Sequence, residues 1–256
     1  MTRLSDWSCF SESDPNAPLV RRAGAEGIGT FLLVFAAVGA GIAAARLPGG
    51  GVAVSVLVIA TVIPAALASL IIAFGEISGG HFNPLITGLQ WLRGERSLGC
   101  TLAYVAAQCA FGVAGAIVAS ALLGLPASRA VEAPSLWRLG LSEVVASASL
   151  MTIVFACALA RKKDSAPAAV GSWLFAAILA TPSGSYANPA VAVAAVFATG
   201  PIALSTTQAL AFVVAQLIGA LLSLIPISVV FPPRARASAE PNWPQSLPAS
   251  ASGPSA

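Results

Sequence analysis

The stretch SYANPAVAVAA, Ser185–Ala195, sets an Asn and a Pro side by side in an almost wholly apolar run. An unpaired amide is costly in apolar surroundings, and Pro breaks a helix interior. The chain repeats the pairing once: GGHFNPLITG, Gly79–Gly88, holds the only other Asn-Pro. A short helix-compatible run follows each pair, Leu85–Arg93 and Ala190–Thr199, and neither is long enough to span a bilayer. Asn is a favoured N-cap and Pro a favoured first helical residue. Asn83-Pro84 and Asn188-Pro189 therefore read as the starts of two half-helices, each entering from one side of a membrane.

The rest of the chain supplies that membrane. Apolar blocks run Ala23–Ala45, Val52–Phe74, Cys100–Leu125, Leu139–Ala160, Ala168–Ala180 and Thr206–Phe231. Several exceed the roughly 20 residues that cross a bilayer as helix. The fifth is the shortest; it reads as starting earlier, with Ser165 as cap and Pro167 in the first turn. Only 9% of the residues are charged, against roughly 25% in soluble domains. The expected fold is an all-α membrane protein of six transmembrane helices and two re-entrant half-helices.

Residues 1–20 are polar and read as a cytoplasmic N-terminal tail, and the first apolar block as a retained helix rather than a cleavable leader. Residues 21–231 form the membrane domain, and 232–256, rich in Pro, Ser and Ala, read as a disordered cytoplasmic tail. With both termini inside, ten Lys and Arg (Arg3, Arg21, Arg22, Arg93, Arg96, Arg161, Lys162, Lys163, Arg234, Arg236) face the cytoplasm. Three (Arg46, Arg129, Arg138) face out. That imbalance places a multi-pass protein in the cell (inner) membrane with cytoplasmic termini. The net charge of +3 thus reports orientation and not nucleic-acid binding.

The two halves resemble each other. Glu26 opens EGIGTFLLVF on the first helix, and Glu143 opens EVVASASLMTIVF on the fourth, 117 residues on. AYVAAQ, Ala103–Gln108, matches AFVVAQ, Ala211–Gln216, 108 residues on, and the two Asn are 105 apart. The register is imperfect: Gly112 lies four residues after Gln108, whereas Gly219 lies three after Gln216. Repeat one covers about 21–125 and repeat two about 138–231. Three spanning helices per unit turn the second unit upside down, and inverted repeats place their solute site near the midplane where the halves meet.

There the two Asn can cap backbone and point amide donors at a passing solute. The irregular segments SGGHF and SGSYA leave carbonyls unpaired, which at membrane depth is tolerated only in protein or beside a wet cavity. Two helix N-termini focus positive potential and repel cations. The arrangement predicts a pore for small neutral polar molecules, lined by carbonyls of Gly79, Gly80, His81, Gly184, Ser185 and Tyr186.

Taken together, the Glu26 and Glu143 motifs, SGGHFNPLIT, SGSYANPA, AYVAAQ and AFVVAQ resemble the aquaporin and aquaglyceroporin family, over roughly Arg21 to Phe231. The resemblance implies six helices, two half-helices, one pore per chain, and a homotetramer in the lipid bilayer. It implies that the paired motifs Asn83, Pro84, Leu85 and Asn188, Pro189, Ala190 line the pore, with Leu85 in place of the usual Ala. It also implies a selectivity filter at Ile63, Ala176, Ser185 and Val191. Most members carry an Arg at the position of Val191. A filter of Ile, Ala, Ser and Val lacks a charged donor fork and an aromatic ring, and is wider and more apolar. Glycerol, undissociated arsenite, methylated arsenicals and similar uncharged solutes, with water, are the expected cargo.

Intramembrane carboxylates default to function. The symmetric Glu26 and Glu143 are instead expected to be structural, capping the re-entrant backbone, as the family implies. Glu76 is expected to face the vestibule. No metal is expected: there is one His, and Cys9, Cys100, Cys109 and Cys157 have no metal-like spacing. Cys109 and Cys157 read as small core residues, Cys100 as lying near a helix start, and Cys9 as a tail thiol. No cofactor and no enzymatic site is expected. The alternatives are a strict water channel, an ion-coupled transporter, which needs an ionisable group on the midplane wall, and a non-transporting junctional protein.

Overall fold

The computed structural model describes residues 9–14, 16–47, 51–124 and 135–231. The C-terminal segment 232–256 and Arg3, Arg129, Arg234 and Arg236 lie outside them. Among the described residues all regular structure is helical: α1 Leu19–Ala45, α2 Val52–Ser78, α3 Pro84–Leu92, α4 Leu98–Leu123, α5 Leu136–Leu159, α6 Ala166–Ala180, α7 Pro189–Ala195, α8 Thr206–Leu222 and α9 Leu224–Val230. A 3₁₀ turn, Gly200–Ile202, joins α7 to α8.

Helices α1, α2, α4, α5 and the α8–α9 unit are long and apolar enough to cross a membrane, and α6 is shorter at 15 residues. Pro167 lies in the first turn of α6 as expected, but the Ser165 side chain caps nothing; its hydroxyl turns back to the Lys162 carbonyl, at 3.5 Å. Apolar side chains on the outer faces, such as Leu57, Ile72, Leu102, Leu210 and Val229, are exposed, as lipid-facing positions require.

Helix α1 packs along α4 and, equivalently, α5 along α8, while α2 faces α6 across the middle. Small residues set these approaches. A Cβ on Gly115 of α4 would stand 2.4 Å from the Phe31 carbonyl oxygen of α1, and one on Gly219 of α8 would stand 2.3 Å from that of Val144 of α5. The imperfect glycine register has a local explanation. In repeat one the ring of Phe111 lies against Gly27, next to Glu26; in repeat two the equivalents are Gly219 and Val144, next to Glu143. Large and small have changed sides, so each crossing stays close.

The half-helices differ slightly from expectation. α3 starts at Pro84 and ends at Leu92, while α7 stops at Ala195, four residues short of Thr199. Beyond it the chain turns through Gly200 at φ 78, a left-handed conformation suited to glycine, and Pro201. The membrane crossings alternate, so α3 and α7 begin near the middle and run to opposite faces. The face that carries the start of α1 and the end of α2 is called proximal below, the other distal.

Candidate channel and its constriction

Each half-helix begins as the Asn-Pro pair dictates. The Asn83 side-chain oxygen accepts from the Leu85 N–H at 2.9 Å, and that of Asn188 from the N–H groups of Ala190 at 3.0 Å and Val191 at 3.4 Å. Asn at the cap and Pro at the first position satisfy the helix start locally. The amide nitrogens reach across. Asn83 Nδ2 donates to the Ala187 carbonyl and Asn188 Nδ2 to the Phe82 carbonyl, each at 2.8 Å. One of the two N–H groups on each amide therefore ties the loops together, against the expectation that the amide donors face solute. Each amide keeps a second N–H, and both Asn residues border the cavity.

The buried carboxylates hold the loops behind these residues. Glu26 accepts from Ser78 Oγ at 2.6 Å, the His81 N–H at 2.9 Å, the Phe82 N–H at 2.6 Å and Gln108 Nε2 at 2.8 Å. Glu143 accepts from the equivalent set: Ser183 Oγ at 2.6 Å, the Tyr186 N–H at 3.0 Å, the Ala187 N–H at 2.8 Å and Gln216 Nε2 at 2.7 Å. Both are fully buried. Four donors each compensate for burial, so neither carboxylate is free for ion coupling. The loop backbones match too: Gly79 and Gly184, Gly80 and Ser185, and Phe82 and Ala187 all have positive φ.

A cavity of about 1020 Å³ runs along the axis between the repeats. At the distal end its wall includes Val52, Ser205 and Gln208; Asn83 and Asn188 lie in its middle reach, and Phe10 in its wall marks the proximal end. Its lining contains no Asp, Glu, Lys or Arg among the described residues. Of the expected carbonyl residues, Gly80, His81, Gly184, Ser185 and Tyr186 border it and Gly79 does not. Gly79 lies beneath the Phe10 carbonyl oxygen, where a Cβ would approach to 2.7 Å.

Three of the four filter positions come together on the cavity wall: Ile63, Ser185 and Val191. Ser185 Oγ is buried and has no hydrogen-bond partner among the described residues. Ala176 is elsewhere. It is exposed on the outer side of α6, which turns Val170, Leu174 and Ile178 to the cavity instead. A shift of two residues rotates a helical position by about 200°, from the cavity to the lipid side. The wall that α6 contributes is thus built from Val, Leu and Ile side chains. Glu76 does not line the cavity. It pairs with Lys163 at 2.9 Å on the proximal surface.

The N-terminal segment departs most from expectation. Cys9 and Phe10 are buried, at 4% and 6% exposure, and belong to the main core cluster. The Phe10 carbonyl accepts from His81 Nε2 at 3.0 Å and Gln90 Nε2 at 2.7 Å. No pattern in the polar, Pro-containing first 20 residues announces this. The available signal is the pair of aromatic residues, Trp7 and Phe10, in an otherwise polar stretch.

Comparison with known proteins agrees with this architecture. The profile of the Major intrinsic protein family matches residues 15–182 and 131–251. The aquaglyceroporin AqpS of Rhizobium meliloti is 36% identical over 211 residues, covering 80% of this chain and 88% of that protein. A probable TIP-type aquaporin of Medicago truncatula is 35% identical over 181 residues, 65% of this chain and 71% of that one. Among solved structures, the aquaglyceroporin of Plasmodium falciparum superposes with a TM-score of 0.67 at 17% identity, over 84% of this chain and 98% of that one. At that identity the likeness concerns the fold.

Proposed function

The chain belongs to the major intrinsic protein family, a family of membrane channels and not of enzymes, and from that premise we propose a channel for small neutral solutes wider than a water-only pore. Its cargo is glycerol, undissociated arsenite and its methylated forms, with water. One observation carries the reading: the axial cavity has no charged side chain in its described wall, and Ile63, Leu174, Ile178 and Val191 line it with the unpartnered hydroxyl of Ser185. A wall of aliphatic carbon with a free hydroxyl accepts a polyol or a neutral oxyacid more readily than a bare ion. The lack of a midplane carboxylate or Lys in that wall disfavours a coupled transporter.

In this reading Asn83 and Asn188 each offer their second amide N–H at the midplane, and the loop residues Gly80, His81, Gly184, Ser185 and Tyr186 offer carbonyl acceptors to either side. Leu85 and Ala190 close the two Asn-Pro turns, and Val191 stands where most family members place Arg. Orientation with both termini in the cytoplasm follows the Lys and Arg bias, which makes the proximal face the cytoplasmic one. Four copies assemble in the bilayer, as in the family.

Purified protein in liposomes, followed by stopped-flow light scattering under water, glycerol and arsenite gradients, tests this. Wild type passes glycerol and arsenite without saturation. Val191→Arg, which returns a cation to the wall, slows both by about tenfold, equivalent to ~1.4 kcal/mol of added barrier, and slows water less. Conduction of water alone by wild type overturns the wide-filter reading.

A further inference from the structure

The proximal end of the cavity is occupied by a piece of the chain that the sequence reads as tail. We propose that Cys9–Ser13 is a plug strap: docked as here it closes the proximal mouth, and its release opens the pore. The inference rests on the channel reading above and adds a gate to it.

The contacts of the strap are of two kinds. The first seal the axis. Phe10 lies in the cavity wall beside Ile71, Gly80 and His81, and its carbonyl receives His81 Nε2 and Gln90 Nε2. The residues that line the cavity on α2, α5 and α6 reach no nearer the proximal face than Ile71, Val154 and Val170. Those positions are one to two turns short of the helix ends at Ser78, Leu159 and Ala166. Cys9 and Phe10 belong to the buried cluster that also holds Phe155, Ala158 and Ala166 near those helix ends. Gly79, at φ 97, leaves the space in which the Phe10 carbonyl sits.

The second kind latch the strap from the side. Glu12 pairs with Arg22 at the start of α1 and with Arg96 before α4, the latter at 2.9 Å. The Ser13 N–H donates to the Glu76 carbonyl at 2.9 Å, and Cys9 Sγ lies 3.7 Å from the Cys157 carbonyl. Burial opposes the Arg96 charge, but the Glu12 carboxylate, together with Tyr104 and Cys100, outweighs it and holds the guanidinium charged above its ordinary range. Arg96 also lies over the Tyr104 ring, 4.5 Å from its centroid.

Two features mark the docked state as dependent on these contacts. Phe10 has φ 57, a left-handed conformation disfavoured for a residue with a Cβ, so the strap's backbone shape is imposed by its surroundings. No regular secondary structure holds the segment, which is joined to the body by side-chain and single backbone bonds. At the distal mouth the cover is different. There the residue equivalent to His81, Tyr186, donates its hydroxyl to the Ile202 carbonyl at 2.7 Å, within the connection fixed at both ends by α7 and α8. His81 and Tyr186 perform the same anchoring act, one on a strap that precedes the first helix and the other on a loop held between two helices.

The experiment compares full-length wild type, Phe10→Ala, Glu12→Gln and the double variant Ser13→Cys/Glu76→Cys in liposomes. Each is read by glycerol and water permeability per reconstituted protein, with wild type treated with crosslinker in parallel. Phe10→Ala and Glu12→Gln raise glycerol permeability at least threefold and leave the order of solutes unchanged, which a merely stabilising contact would not do. Joining the two introduced thiols with a short reducible crosslinker, verified by intact mass, lowers flux to that of empty vesicles, and reduction restores it. A crosslinked protein that conducts as fast as its reduced form overturns the proposal, even where Phe10→Ala fails to fold. Equal permeability of wild type and the two single variants overturns it as well. The failure of the channel reading looks different: every protein, with the strap released or docked, then matches empty vesicles for every solute.

Discussion

The two re-entrant loops are built on one plan and differ at three places. Glu26 and Glu143 hold equivalent atoms at nearly equal distances, and Asn83 and Asn188 exchange amide bonds across the junction. Against that shared frame, Gly80 in one loop corresponds to Ser185 in the other, His81 to Tyr186, and Phe82 to Ala187. The aromatic partners keep step: His81 packs edge-on against Tyr104 at 5.8 Å, and Tyr186 against Phe212 at 5.3 Å. What differs is the mouth each loop serves. A frame that must keep irregular backbone at membrane depth admits little variation, because each orphaned N–H there costs free energy with no water to replace the bond. Side chains that point to the cavity or the mouths are free to diverge, and function is divided among them.

The strongest test of the equivalence is to remove the frame. Glu26→Ala and Glu143→Ala each orphan two backbone N–H groups, a hydroxyl and a Gln amide. At about 1–3 kcal/mol per orphaned donor, both should lose several kcal/mol and fail to accumulate as folded protein. Size-exclusion profiles in detergent and thermal unfolding check this; a mild effect of one and a severe effect of the other would break the symmetry.

The Gly80–Ser185 pair gives an unequal outcome. Both positions are left-handed, at φ 63 and φ 53. A Cβ on Gly80 would come within 3.1 Å of the Gly75 Cα, so Gly80→Ser combines backbone strain with overpacking and should cost about 1–3 kcal/mol. Ser185→Gly relieves strain and removes the free hydroxyl, so thermal stability should hold while glycerol flux falls relative to water. Equal destabilisation by both would show that the cavity wall, and not the loop frame, sets the requirement.

Asn83→Ala and Asn188→Ala each delete one cap and one cross-loop bond. A loss of about 1–2 kcal/mol is expected from either, and the double variant should depart from the sum of the two, since both Asn serve one junction. A double-mutant cycle on unfolding midpoints reads the coupling. The smallest effect belongs to Tyr186→Phe, which deletes one hydrogen bond to the Ile202 carbonyl, worth about 0.5–1.5 kcal/mol. Because the distal loop stays tied at both ends, its glycerol permeability should rise much less than that of Phe10→Ala. A rise as large would erase the distinction between loop and strap.

The repeat, the half-helix starts and the role of the two carboxylates were legible in the chain because their signals are local or duplicated. An Asn followed by a Pro caps a helix wherever it stands, and a second copy at the matching place leaves little room for a loop turn. Composition did the same for the membrane. Three things had no such signal. α6 is apolar on all sides, so no periodicity tells the face toward the cavity from the face toward lipid; packing against α2 turns Leu174 and Ile178 inward and leaves Ala176 outside. The amide bonds across the loops depend on how two repeats meet, over 104 and 106 residues of sequence.

The strap is the third and the plainest case. Phe10 meets His81 and Gln90 at separations of 71 and 80 residues, and Cys9 meets Cys157 at 148. A polar segment followed by Pro has the composition of a tail until the cradle that receives it exists. Capping, hydropathy and repetition act within a few residues or recur, so the chain alone announces two repeats, their membrane spans and two helices that start in the middle. Which side chains share the cavity wall, and what stands at its proximal end, depend on contacts that close once the bundle has formed.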